Sequence, residues 1–126
     1  MEKKIIKTRY APDPIGPYNQ AVQFGDTLYI SGQVAIDPAT GELDQKDISS
    51  ETHRVMQNLK AILSEAGMDF SNALKTTIFL NDMALFSEVN EIYGKYFPGD
   101  FPARETVAVK GLPKNVRVEI SMIAGK

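Results

Sequence analysis

An α+β domain, with one sheet carrying two helices on a single face, is what this 126-residue sequence predicts. Three observations lead there. Two segments repeat apolar residues at the helical period, several short segments alternate apolar with polar residues, and the segments run strands, helix, strand, helix, strands. Two helices can cover only one face of such a sheet, so the other must meet water or another subunit.

The elements follow in order. Residues 4–7 read as a short edge strand. Ala11-Pro12-Asp13-Pro14-Ile15-Gly16-Pro17 is stiff and irregular, because its prolines cannot sit in a central strand. Residues 20–24 and 27–31 read as strands joined by a turn at Gly25-Asp26, a hairpin candidate. Pro38-Ala39-Thr40-Gly41 is a turn within a longer loop. Residues 47–66 form a helix whose stripe is Val55, Leu59, Ile62 and Ala66, widened by Met56 and Leu63. Asp47 or Ser49 caps it, and Gly67 is placed to end it. Residues 73–80 are a strand, since Thr76, Thr77, Ile78 and Phe79 favour extension. Asn81 or Asp82 then caps a second helix running to about Tyr96, with Leu85, Phe86, Val89, Ile92, Tyr93 and Tyr96 inward. Pro98-Gly99 stops it, and two strands close the chain.

Composition bounds the function. The length fits one domain, residues 1–126, large enough to bury a single core. A formal charge of −2 and a pI of about 5.4 argue against affinity built on phosphate neutralisation, so no nucleic-acid partner is expected. Without cysteine there is no disulfide framework and no thiol chemistry, and a reducing cytosol is the simpler home. No apolar run reaches the length of a signal peptide or the roughly 20 residues of a membrane span, so no membrane partner is expected. With His53 as the single histidine, read here as solvated, no nucleophilic triad can form. Metal-ligand spacing and phosphate-binding glycine loops are missing too, so no cofactor is expected.

The last two strands carry the chemistry. Alternation puts Val116, Val118, Ile120 and Met122 on one face of the final strand and Arg117, Glu119 and Ser121 on the other. On the preceding strand Arg104 and Thr106 share a face, opposite Glu105, Val107 and Val109. If the two strands pair as a hairpin, Arg104, Thr106 and Glu119 line one polar patch on the face away from the helices. A guanidinium is a natural clamp for a small carboxylate. A nearby glutamate, ionised at its ordinary pKa of about 4.3, can orient a water. The pattern points to hydrolysis of a small carboxylate-bearing molecule. Structural ion pairing for Arg104 and an ordinary strand position for Glu119 are the alternatives.

These residues also carry a family resemblance. Pro102-Ala103-Arg104, Leu112-Pro113-Lys114 and Val118-Glu119-Ile120, with Ile15-Gly16-Pro17-Tyr18, Ser31-Gly32-Gln33, the turn 37–42 and Val89-Asn90, resemble the RidA (YjgF) family of reactive-intermediate deaminases, in order and at its spacing. The resemblance implies a chorismate-mutase-like fold with a mixed sheet, and a homotrimer with sites between adjacent subunits. It implies carboxylate binding by Arg104, water positioning by Glu119, and a pocket shaped by Tyr18, Ser31, Asn90 and Thr106. Thr106 stands where the family often has cysteine, and Glu105 where many members have serine or alanine. Alternation points Glu105 away from Arg104; a local twist would instead let it compete with substrate for the guanidinium.

The implied activity is cofactor-free hydrolysis of 2-imino acids, such as 2-iminobutanoate and 2-iminopropanoate, to 2-keto acids and ammonia. A keto-acid-binding regulator without turnover would also need Arg104. RNA cleavage, a further activity attached to the family by name, is disfavoured by the acidic charge balance.

Overall fold

The computed structural model describes residues 1–126. Its strands are β1 (Lys3–Ile6), β2 (Ala21–Phe24), β3 (Thr27–Gln33), β4 (Ala73–Leu80), β5 (Ala103–Ala108) and β6 (Val118–Gly125). The helices are α1 (Ile48–Glu65) and α2 (Phe86–Gly94). One mixed sheet has the order β1-β2-β3-β6-β4-β5, with β4 and β5 parallel and every other pair antiparallel.

The helix that periodicity predicts over 47–66 forms within a residue of its expected ends. The Asp47 carboxylate accepts the Ser50 N–H at 2.7 Å, satisfying a donor that the first turn leaves free. Gly67 follows with φ +72°, a conformation that carries no penalty without a side chain. Val55, Met56, Leu59, Ile62 and Leu63 are wholly buried against Leu28, Ile78, Leu80, Val118, Ile120 and Met122. The second helix is shorter than expected. Asp82 caps a 3-10 turn, Met83–Leu85, and the α-helical part ends at Gly94.

Two polar side chains of α1 lie unexpectedly inside. Asn58, fully buried, donates to the Val34 and Ile36 carbonyls at 3.0 Å each and pins the loop after β3 to α1. Glu51, also fully buried, accepts from the backbone N–H and from Nε of Arg117. Arg117 precedes β6, so strand alternation does not reach it, and its side chain turns to the helices rather than to the Glu119 side. His53 is not simply solvated either: its Nδ1 lies 2.7 Å from the Tyr96 hydroxyl, joining α1 to the segment just after α2.

The closing pair of strands is the main correction. β5 and β6 do not form a hairpin, because β4 lies between them. The β4-α2-β5 unit is a parallel crossover that delivers β5 to the sheet edge, while β6 returns to the slot between β3 and β4. Every second residue of β6 is buried, as befits a central strand, whereas β5 is mostly exposed and carries charges suited to an edge.

Register then fixes the faces. Arg104 stands opposite Thr76, which stands opposite Met122; Thr106 aligns with Ile78 and Ile120. Arg104 and Thr106 therefore lie on the helix-covered face. Glu119 aligns with Phe79 and Val107, and Ser121 with Thr77 and Glu105, on the open face. The shared patch of Arg104, Thr106 and Glu119 does not exist within one chain.

Candidate active site

Arg104 projects from the edge strand beneath α2. Phe86, Asn90 and Tyr93 are spaced four and three residues apart and so share one helix face. The Arg104 Nη1 donates to Asn90 Oδ1 at 2.7 Å. Its guanidinium carbon lies 5.6 Å from the centre of the Phe86 ring and 5.3 Å from that of Tyr93, within range of cation–π attraction. Tyr93 is itself held, its hydroxyl 2.6 Å from that of buried Thr76, the register partner of Arg104. Burial pushes the Tyr93 phenol above its usual value, so it stays protonated at neutral pH.

The guanidinium is thus oriented on one arm, with Nε and Nη2 engaging no acceptor in the chain. It opens on a cavity of about 410 Å³ lined by Asn90, Tyr93, Gly94, Phe101, Pro102 and Arg104. Such a fork can take a carboxylate through two parallel hydrogen bonds. On the same face, two residues along, the Thr106 hydroxyl oxygen is buried without a partner. Buried hydroxyls are ordinarily paired, so this one is an exception; Thr106 itself does not line the cavity beside Arg104.

Glu105 does not compete for the guanidinium. It lies on the opposite face, where it accepts from the Thr77 hydroxyl at 2.6 Å and faces Lys75 Nζ at 3.5 Å. The Thr77 hydrogen bond, with a smaller contribution from Lys75, holds its carboxyl below the usual range.

Glu119 occupies the open face. The β3–β6 ladder shifts register between Ile30 and Gln33, leaving Ser31 and Gly32 in an irregular stretch. A Cβ built on Gly32 would meet Glu119 Oε2 at 2.2 Å, so the carboxyl rests on ground that only glycine leaves free. Burial pushes the Glu119 carboxyl above its ordinary pKa, making it a better base than a solvated glutamate. A cavity of about 420 Å³ beside it is lined by Ile15, Tyr18, Gly32, Val34 and Lys114, among others.

Tyr18 lines this cavity, whereas Ser31 lines a neighbouring one with Tyr18, Thr77 and Ser121. The Ser31 hydroxyl donates to the Asn19 carbonyl at 2.6 Å, and its N–H to the Gln20 carbonyl at 2.9 Å. Both bonds tie the irregular stretch of β3 to the segment carrying Tyr18, whose ring is half exposed. Gly32→Ala is accordingly expected to displace the Glu119 carboxylate while leaving the fold in place. A ¹³C titration of that carboxyl would then report a pKa returned toward the solvated value.

The six sequence-predicted residues therefore do not share one cavity. Arg104 and Asn90 line the cavity between β5 and α2, with Thr106 on the same sheet face, whereas Tyr18 and Glu119 line a cavity elsewhere and Ser31 lines a third with Tyr18, Thr77 and Ser121. Sequence reasoning left out two contributors. Phe86 and Tyr93 looked like core stripe, although their spacing with Asn90 signals a shared face. Gly32 at a strand end signals a close approach, and the group that approaches it is the Glu119 carboxylate.

Fold and site together define a small α+β protein with a ligand-ready arginine at the sheet edge. Residues 8–126 match the family described as Endoribonuclease L-PSP. The chain is 50% identical to protein DfrA of Myxococcus xanthus, covering 98% of this chain and 96% of that protein. It is also 50% identical to the 2-iminobutanoate/2-iminopropanoate deaminase of Mus musculus, over 97% of this chain and 90% of the relative. The crystal structure of E. coli TdcF with bound serine superposes with a TM-score of 0.94 at 38% identity, covering 98% of each chain. The chain belongs to the Endoribonuclease L-PSP family, which includes RidA and YjgF.

Proposed function

We propose that this protein hydrolyses reactive 2-imino acids and their enamine tautomers, 2-iminobutanoate and 2-iminopropanoate among them, to 2-keto acids and ammonia. The observation that carries the reading is the Arg104 guanidinium, steadied by Asn90 and two rings and left with two donors facing a cavity. Curated relatives named for this activity in mouse and human, 50% and 45% identical, support it.

The site is completed between copies of this chain in a homotrimer. Two features favour this. Arg104 and Glu119 lie on opposite faces of one sheet, and the open face carries exposed Tyr29 and Val107 beside Phe79 and Ile123. Nε and Nη2 of Arg104 hold the substrate carboxylate. Glu119 of an adjacent copy accepts a proton from water as the oxygen adds to the imine carbon. The protonated imine thereby becomes a neutral carbinolamine; Glu119 passes its proton to the nitrogen and takes the hydroxyl proton as the C–N bond breaks, which releases ammonia and forms the ketone. Thr106 shapes the site from within the sheet, while Tyr18 and Ser31 wall the cleft. Free imines already hydrolyse in water, so orientation and modest proton transfer suffice.

The test generates imines with an amino-acid oxidase and follows their capture by semicarbazide. Suppressed capture by wild type, but not by Arg104→Ala, is expected; no suppression for any side chain overturns the reading. The family's nuclease description motivates one control. Nuclease activity retained by Arg104→Ala, free of contaminants, would favour RNA cleavage instead.

A further inference from the structure

We propose that Glu51 is a positioning residue of the active site, acting through Arg117 to hold the segment that presents Lys114 and Glu119. The proposal rests on the reading of Glu119 as the residue that handles water. Glu51 lies in the first turn of α1, where an acidic side chain usually faces solvent and favours the helix dipole. Here it is completely buried and both oxygens are committed. Oε2 accepts the Arg117 backbone N–H at 2.8 Å and Oε1 accepts Arg117 Nε at 2.7 Å.

Residue 117 is held from two further directions. Its Nη2 donates to the Gln45 carbonyl at 3.2 Å, and its own carbonyl accepts the Asn81 N–H at 3.0 Å. One residue thereby joins the entry to α1, the exit of β4 and the start of β6. Glu119 is two residues further on, resting on Gly32.

The segment before Arg117 needs such an anchor. Lys114 and Asn115 adopt φ values of +57° and +56°, consecutive left-handed conformations without glycine. Conformations of this kind persist only where their surroundings over-determine them. Pro113 and Lys114 form a wall of the Glu119 cavity, so a slackened segment would alter both the wall and the carboxylate. Glu51 is wholly buried while Arg117 is 32% exposed, so the carboxylate bears most of the desolvation cost and positional definition is the benefit we assign to the pair.

The discriminating variant is Glu51→Met combined with Arg117→Met, an apolar replacement expected to fold. Imine hydrolysis by the folded double variant should show kcat reduced about ten- to hundredfold with KM little changed, since Arg104 is untouched. A folded double variant with wild-type kcat, or one in which only KM changes, overturns the proposal. If the double variant does not fold, Arg117→Lys takes its place; it keeps the charge but loses the paired geometry, so kcat should fall in the same way. Wild-type kcat in that variant would count equally against the proposal. Failure of the underlying reading is separately visible as a wild-type protein without imine hydrolysis. The ¹³C titration of Glu119 then decides: a changed carboxyl pKa in the variant supports positioning, and an unchanged one refutes it.

Discussion

Arg104→Ala is expected to lower kcat/KM for imino-acid hydrolysis by roughly 10²–10⁴-fold. Two charge-assisted hydrogen bonds at about 1.5–3 kcal/mol each set that range. The loss should fall on small substrates whose carboxylate is their main handle. Arg104→Lys should recover little, because an ammonium cannot match the planar fork and would sit differently between Phe86 and Tyr93. Stability should fall only modestly. The side chain is exposed on an edge strand, so its removal frees an exposed Asn90 oxygen and gives up two exposed cation–π contacts of about 0.5–1 kcal/mol each at most. The semicarbazide competition assay paired with thermal unfolding checks both halves. A variant that melts with wild type and retains full activity would remove Arg104 from the reaction.

Glu119→Gln is expected to reduce kcat by about 10²–10⁴-fold, the usual range for a lost general base, while sparing keto-acid binding. Its second effect has the opposite sign. Burial raises the Glu119 pKa above its usual 4.5, so folding favours the protonated acid. The stability this group contributes is complete below pH 4.5 and disappears as pH rises through the folded value. At neutral pH the wild-type protein therefore carries a charged carboxylate in surroundings that disfavour it. The glutamine variant should melt at a higher temperature than wild type at pH 7 and at the same temperature at pH 4. In the wild-type enzyme, kcat should decline on the acid side through a pKa displaced above 4.5. An acid limb at the value of a solvated glutamate, or a glutamine variant that binds neither product nor substrate, would contradict this assignment.

The helices and the alternation of β6 were legible because each is a local periodicity. Val55, Leu59 and Ile62 recur on one turn-spaced line, and Val118, Ile120 and Met122 on every second residue. Strand adjacency was not legible in the same way. The parallel pairing of β5 with β4 depends on how α2 packs between them, and no residue within β5 announces its neighbour. A hairpin was the simplest reading of two consecutive strands, and it placed Arg104 and Glu119 on one surface. The individual site residues could be named from short motifs, but their environments could not. The pKa of Glu119 follows from burial beside Gly32, and the paired state of Glu51 from Arg117, which is 66 residues away.

If the site is completed between copies, as proposed, the opposed faces of Arg104 and Glu119 have a consequence for mixed assemblies. A chain lacking the arginine and a chain lacking the glutamate would each be inactive when pure. Dissociated and reassembled together, they should regain part of the lost turnover, because some junctions would then draw each intact group from a different parent. Recovery on mixing, and decay on dilution below the point of dissociation, would make this an enzyme whose working unit is the seam rather than the subunit.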